Sequence, residues 1–221
     1  MSYFKYAISN THRRKLLDRA MIRNRAAFRP GSTVLDIGGR DRGFFKKPKS
    51  KVGKWIFADI QAENKPDIVL DVADMKSIQS GSIDTVLANE LFEHVAEPER
   101  GLNECYRILK AGGELILSVP FLYPVHGDPY DFQRWTETKW SKELSGCGFR
   151  EINIEILGRF FSVLATSIKI WNQSLPSFFR YLLYPVSFAF DLLAGVDNTD
   201  LVKKNTALSR FHGGYFIIAK K

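Results

Sequence analysis

The stretch "TVLDIG", residues 33–38, decides the fold. It is a short apolar run that ends in glycine, the pattern of a strand buried on both faces in a parallel sheet. Four further runs share its character: "KWIFADI" (54–60), "DIVLDV" (67–72), "SIDTVLANE" (82–90) and "GELILSVP" (113–120). Between the last two, "EPERGLNECYRILKAGG" (97–113) predicts a helix, with Pro98 in its first turn and Gly112 and Gly113 as its stop. "FREINIEI" (149–156) alternates strictly and puts Ile152, Ile154 and Ile156 on one side, as a strand with one exposed face does. "GGYFIIAKK" ends the sequence as another strand. Strands alternating with helices predict a doubly wound α/β sheet.

Composition allows one sizeable core, so 1–221 is expected to form a single domain. Cys105 and Cys147 stand far apart without metal spacing, which suits a reducing compartment. The opening "MSYFKYAISN" lacks the apolar core of a signal peptide, so a cytoplasmic location is expected. The formal net charge of +8 is uneven: residues 1–30 hold eight basic residues against Asp18 alone. Leu17, Ala20, Met21, Asn24, Ala27 and Phe28 share one helical face, so 1–30 reads as a basic amphipathic helix. Two uses compete for it: a solvated helix docked on the domain, or a surface facing phosphate, nucleic acid or an acidic membrane.

Ligands of such sheets bind beyond the carboxyl ends of the strands. The turn after the first strand, "DIGGRDRG", holds Gly38, Arg40 and Gly43, a G-x-G-x-x-G pattern with arginine in the middle. Asp59 ends the second strand 21 residues after Gly38, in range for an acid that grips ribose hydroxyls. This suits any adenosine cofactor, and a nicotinamide dehydrogenase and a methyltransferase are both admitted. A plain tight turn with Asp59 capping a neighbouring helix is the competing reading. The fifth strand runs into "YPVHGDPYDFQRW" (123–135), whose aromatics and prolines fix a shape over the same crevice. A metal held there by His126 with Asp128 and Asp131 would lack a known ligand spacing, so no metal is expected.

In order, "VLDIGG", "FADI", "LDVADM", "SIDTVLANELFEHV", "ECYRILKAGGELILSVP" and "HGDPYDFQRWT" resemble the class I S-adenosylmethionine-dependent methyltransferases over about residues 30–160. The loop after strand five resembles a bacterial branch associated with surface-polysaccharide and glycan synthesis, through Pro120, Phe121, His126, Pro129, Asp131, Arg134 and Thr136. The apolar stretch before the last strand reads as a helical insertion over 160–210. The resemblance implies a seven-stranded Rossmann-like sheet with the last strand antiparallel. It implies S-adenosyl-L-methionine as cofactor, with Gly38 and Gly39 at its methionine part and Asp36 orienting the amino group. Asp59 would take the ribose diol, Asp71 and the Val72 backbone the adenine, and Asn89 the methionine end. Arg40 departs from the usual glycine; its side chain is expected to point away from the cofactor. "EHV" (93–95) is, by the resemblance, chiefly a helix-start feature, so Glu93 and His94 are not expected at the chemistry.

The reading that follows is O-methylation of a sugar or glycan intermediate. His126 would accept the acceptor's proton, and Asp131 would orient it or pair with Arg134. Arg134 could instead clamp an anionic group of the substrate. A competing reading, a rigid lid, has Asp131 and Arg134 paired and His126 packed. Other functions stay open: methylation of RNA or another small molecule, or a non-catalytic binding protein of the same fold. The apolar segment "LPSFFRYLLYPVSFAFDLLAG" (175–195) is interrupted by Arg180, Pro185 and Asp191, so it does not read as a membrane span. It predicts helices that cap the sheet, form a homodimer face, or rest on the inner face of a membrane.

Overall fold

A computed structural model describes residues 10–39 and 44–221. Arg40 and the expectation attached to it lie outside the described residues. In chain order the elements are α1 (His12–Arg23), β1 (Thr33–Ile37), β2 (Lys54–Asp59), β3 (Ile68–Val69), β4 (Ile83–Asn89), α2 (Pro98–Ile108) and β5 (Leu109–Pro120). There follow α3 (Glu137–Gly146), β6 (Arg150–Ile156), α4 (Phe160–Ser174), α5 (Ser177–Leu182), α6 (Tyr184–Leu193), α7 (Asp200–Lys203) and β7 (Gly214–Lys220).

The seven strands form one sheet in the order β3-β2-β1-β4-β5-β7-β6. β1 to β5 pair in parallel, and β7 enters antiparallel between β5 and β6. The uninterrupted apolar strands have their reason here. Leu35, Val86, Leu115, Leu117 and Ile217 face a core shared with Leu102 and Cys105 of α2 and Trp140 and Leu144 of α3. Val34, Leu87, Ile116 and Phe216, their neighbours in sequence, face the opposite core with Leu17, Ala20 and Met21 of α1. Period-2 alternation sends each strand's side chains to two buried faces, so no polar face is needed. β6 sits at the edge, with Ile152, Ile154 and Ile156 turned to the first core.

Four elements differ from their predicted spans. α2 stops at Ile108 rather than at the glycines, and β5 starts at once with Leu109, which pairs with Ile83 across a bulge. Gly112 (φ 73°) and Gly113 instead bend the strand where Gly112 N donates to Lys221 O at 3.0 Å. β3 keeps only two residues in register with β2, after which Asp71 and Asp74 close a turn. The basic helix ends at Arg23, and Arg25–Ala27 continue as a single 3-10 turn that delivers Phe28 to the core.

α1 is capped by Thr11, whose hydroxyl accepts from Arg14 N at 3.4 Å. It packs on α4, and its charges are largely committed inward. Arg13 pairs with Glu90, while Lys15 and Lys169 both reach Asp191 of α6, at 2.8 and 3.2 Å. The predicted insertion over 160–210 is helical; its α4 packs on α1 and in turn carries α6. It leaves Phe178, Tyr181, Leu182, Phe188 and Leu192 more than half exposed. Among the described residues no helix is long and apolar enough to cross a membrane.

Candidate active site

A cavity of about 950 Å³ opens at the carboxyl ends of β1, β2, β4 and β5, with α1 as its outer wall. Asp36, Gly38, Gly39, Asp59, Asp71, Val72 and Asn89 all line it, and so does His126. Asp131 and Arg134 do not.

At the β1 end, burial pushes the Asp36 carboxyl up, against the pull of Lys47. Lys47 Nζ donates to Asp36 Oδ2 and to Gly39 O, both at 2.6 Å, and Trp55 Nε1 donates to Oδ2 at 3.1 Å. Asp36 Oδ1 is buried with no hydrogen-bond partner among the described residues. Gly38 takes φ 65°, a left-handed turn that favours glycine, and its N–H donates to Ala58 O at 2.8 Å. A Cβ added at Gly39 would stand 1.8 Å from Asp36 Oδ1. The turn therefore has room for a backbone and a ligand but not for a side chain.

At the β2 end, Asp59 is buried. Its oxygens accept from Gln61 N at 2.9 Å and from Asn64 Nδ2 at 3.0 Å. It thus caps the turn after β2, yet a carboxylate retains further acceptor positions for a diol. Ile60, 64% exposed, lies beside it on the cavity wall and offers an apolar face that sequence reasoning passed over. Asp71 Oδ1 accepts from Ala73 N at 2.8 Å, a turn contact that leaves the side chain exposed. Asn89 Nδ2 approaches Met21 Sδ at 3.5 Å, and Asn89 Oδ1 is buried without a partner among the described residues.

The β4 and β5 ends build the other half of the cavity. Glu90 takes φ 54° and pairs through both oxygens with Arg13, which also lies 4.7 Å above the Tyr123 ring. The loop after β5 is sewn to the turn after β4: Phe132 N donates to Glu93 O at 2.9 Å, and Gln133 Nε2 to Phe92 O and Val95 O at 2.8 and 2.9 Å. Asp131 holds the loop from within. It accepts from His126 N at 2.8 Å and from Arg134 through two nitrogens, at 2.5 and 2.7 Å. Those contacts hold its carboxyl down at about 2. Asp131 and Arg134 therefore face each other, and His126 is presented by them to the cavity.

His126 is half-buried, edge-on to both Tyr123 and His94. The Glu93 carboxylate beside it raises its pKa. Sequence reasoning set Glu93 and His94 aside. Yet His94 lines the cavity, and Glu93 Oε1 lies 3.8 Å from the Nε2 atoms of both histidines. Parallel neighbours β4 and β5 bring these ends together, and that adjacency was the available signal. Tyr130 and Phe132, 62% and 49% exposed, line the same half and offer flat faces to a ring.

Residues 54–117 match the family model described as a methyltransferase domain. Among curated proteins, the chain is 32% identical over 107 residues to an uncharacterized 37.1 kDa protein in transposon TN4556 of Streptomyces fradiae, covering 42% of this chain and 31% of that one. It is 30% identical over 104 residues to the ubiquinone biosynthesis O-methyltransferase of Xanthomonas campestris pv. campestris (strain B100), covering 40% and 43%. The chain thus spans under half the length of these relatives. Among solved structures, a SAM-dependent methyltransferase from Archaeoglobus fulgidus aligns over the whole of both chains with a TM-score of 0.62 at 20% identity, a likeness of fold.

Proposed function

We propose that this chain, which carries a methyltransferase domain on the class I methyltransferase fold, transfers a methyl group to a hydroxyl oxygen of a sugar or glycan intermediate. S-adenosylmethionine is the cofactor of such domains and supplies a methyl on a sulfonium, transferred by in-line displacement. The observation that carries the reading is one continuous cavity with two chemically different halves. Asp36, Asp59 and Asp71 form an acceptor row suited to amine and hydroxyl donors. The unpartnered Asp36 Oδ1 and the side-chain-free turn at Gly39 fit a bound amino-acid end. The opposite half holds a half-buried imidazole and two exposed aromatic rings, suited to a polar ring substrate.

In this reading His126 takes the proton that the acceptor hydroxyl loses, and Asp131 with Arg134 holds it in place. Tyr130 and Phe132 position the ring, and α1 excludes water from the methionine end. The curated relative whose name specifies O-methylation supports oxygen as the acceptor atom. It also favours a second reading, a hydroxyl of an intermediate in ubiquinone biosynthesis. In both cases the exposed apolar face of α5 and α6 would rest on a membrane surface that presents the acceptor. An RNA acceptor is less favoured, because Arg13 and Lys15 of the basic helix are paired within the fold.

The test is calorimetry with S-adenosylhomocysteine, followed by mass spectrometry of candidate glycans and ubiquinone-biosynthesis intermediates incubated with protein and cofactor. A gain of one methyl on a hydroxyl supports the reading. Absence of cofactor-product binding would leave a binding protein of the same fold.

A further inference from the structure

We propose that Glu93, His94 and His126 hold a divalent transition-metal ion at the acceptor end of the cavity, and that this ion binds the acceptor hydroxyl. The proposal rests on the methyl-transfer reading and changes the task of His126 within it.

The first observation is Glu93 itself. It is 1% exposed, and among the described residues neither carboxylate oxygen has a hydrogen-bond partner. A buried carboxylate is tolerated when paired or bound to a metal. Its neighbour Glu90 has such a partner in Arg13. Asp131, the other acid of this region, has Arg134. Glu93 has two imidazoles, each with its Nε2 3.8 Å from Oε1.

The second observation is the aim of those imidazoles. His94 Nδ1 donates to Tyr130 O at 2.6 Å, and His126 Nδ1 lies 3.2 Å from Pro124 O. A carbonyl only accepts, so the His94 ring carries its proton on Nδ1 and keeps a lone pair on Nε2; His126 Nδ1 also faces Arg134 Nη2 at 3.4 Å, and a metal at its Nε2 selects the tautomer with the proton on Nδ1 toward Pro124 O. Both Nε2 atoms turn to the same oxygen, Glu93 Oε1, each at 3.8 Å. That is too long for a hydrogen bond, yet two metal–ligand bonds of about 2.0–2.2 Å bridge it. The three donor atoms lie within 4.8 Å of one another, so a small closure of the two partly exposed rings completes the set. A histidine whose second nitrogen is fixed by a carbonyl is the usual arrangement around a protein-bound metal.

Two imidazoles and one carboxylate select a first-row ion such as zinc, cobalt or manganese over calcium. Three protein ligands leave positions open toward the cavity, where His94 and His126 are exposed to a substrate. A hydroxyl bound there loses its proton to solvent more readily, because the cation stabilises the alkoxide. Its oxygen forms the new bond to the methyl carbon as the carbon–sulfur bond breaks and its electron pair passes to sulfur. His126 is then a ligand, and no protein base is required.

The experiment uses the full chain, stripped with a chelator and titrated with cobalt(II) while visible absorption is recorded. The expected result is saturation at one equivalent, with ligand-field bands of nitrogen–oxygen coordination. Glu93→Gln and His126→Ala are each expected to weaken cobalt binding at least tenfold. S-adenosylhomocysteine binding is measured on the same samples and should persist in both variants. Should Glu93→Gln fail to fold, His126→Ala carries the test, since its side chain is partly exposed. Absence of stoichiometric cobalt binding, or equal binding in wild type and His126→Ala, overturns the metal site. If S-adenosylhomocysteine is bound in that case, methyl transfer with His126 as base stands. Failure to bind S-adenosylhomocysteine in both metal-free and cobalt-loaded protein defeats the methyl-transfer reading instead.

Discussion

Arg13 of α1 and Glu90 at the end of β4 form a buried two-point ion pair that ties the N-terminal helix to the cavity floor. Glu90 accepts also from Ser118 Oγ at 3.0 Å, which helps hold it in its left-handed conformation. Arg13→Leu leaves that acid buried and unpaired, and the expected loss is about 3–5 kcal/mol in urea unfolding. Adding Glu90→Gln should recover part of it. The pH dependence has a defined sign. Despite its burial, Glu90 is held by Arg13 at about 2, below its ordinary 4.5. Its contribution is complete above pH 4.5 and is lost as pH falls toward 2. Melting temperature against pH should fall more steeply in this window for wild type than for Arg13→Leu.

Asp59 serves both the fold and the cofactor, and two substitutions separate these roles. Asp59→Ala removes both, so S-adenosylhomocysteine binding should weaken by about 1.5–3 kcal/mol, with a fall in melting temperature from the lost contacts to Gln61 and Asn64. Asp59→Asn keeps an acceptor for Gln61 N but turns an amide NH2 toward Asn64 Nδ2, losing that contact and the charge. Its stability should fall less than that of Asp59→Ala while affinity still falls. Affinity unchanged in both variants would move the ribose site elsewhere.

Gly39→Ala tests the turn after β1 directly. The added carbon would displace the Asp36 carboxylate and with it the Lys47 contact. A drop in cofactor-product affinity of tenfold or more is expected by calorimetry, because the whole turn must move. Wild-type affinity would show that Asp36 does not orient the ligand.

Much of the architecture could be read from the sequence because the central strands β1, β4 and β5 are buried on both faces, and such strands write themselves as apolar runs. The ends of α2 and β5 could not. Gly112 and Gly113 look like a helix stop, and only their pairing with the last strand shows that they bend β5. In the site, the acids at strand ends were legible because the fold puts strand ends together. Lys47 and Arg13 were not, since each reaches its acid from an element whose docking the sequence does not specify. Glu93 and His126 lie 33 residues apart, and no local spacing links them. Their meeting follows from β4 and β5 being parallel neighbours.

Asp131→Asn separates a positioning role from a purely structural one. Loss of charge should loosen the Arg134 clamp and lower stability by about 1–3 kcal/mol, the scale of charge-assisted hydrogen bonds. Turnover should fall with it while cofactor-product affinity holds. An unchanged turnover despite reduced stability would confine Asp131 to holding the loop.

The exposed face of α5 and α6 has a direct assay. Wild-type protein is expected to co-sediment with vesicles rich in anionic lipid, since Arg180, Lys203, Lys204 and Arg210 lie on the exposed surface of this helical region. Phe178→Ser with Phe188→Ser removes two exposed rings and should reduce binding at least tenfold without altering melting temperature. No sedimentation of wild type would assign the face to another use.

The position of α1 has a consequence for where this protein can be divided. The segment that matches the methyltransferase domain, 54–117, contains Asp59, Asp71, Asn89 and Glu93 but neither Asp36 nor His126. Thr11, Arg14, Leu17 and Met21 close the cavity from outside the sheet, and α4 and α6 hold α1 in place. Cutting the chain at the edge of the sheet would therefore leave strands able to pair around an open trough. The smallest piece able to enclose a ligand includes the first helix and the late helices that brace it, so recombination or truncation must move these parts together.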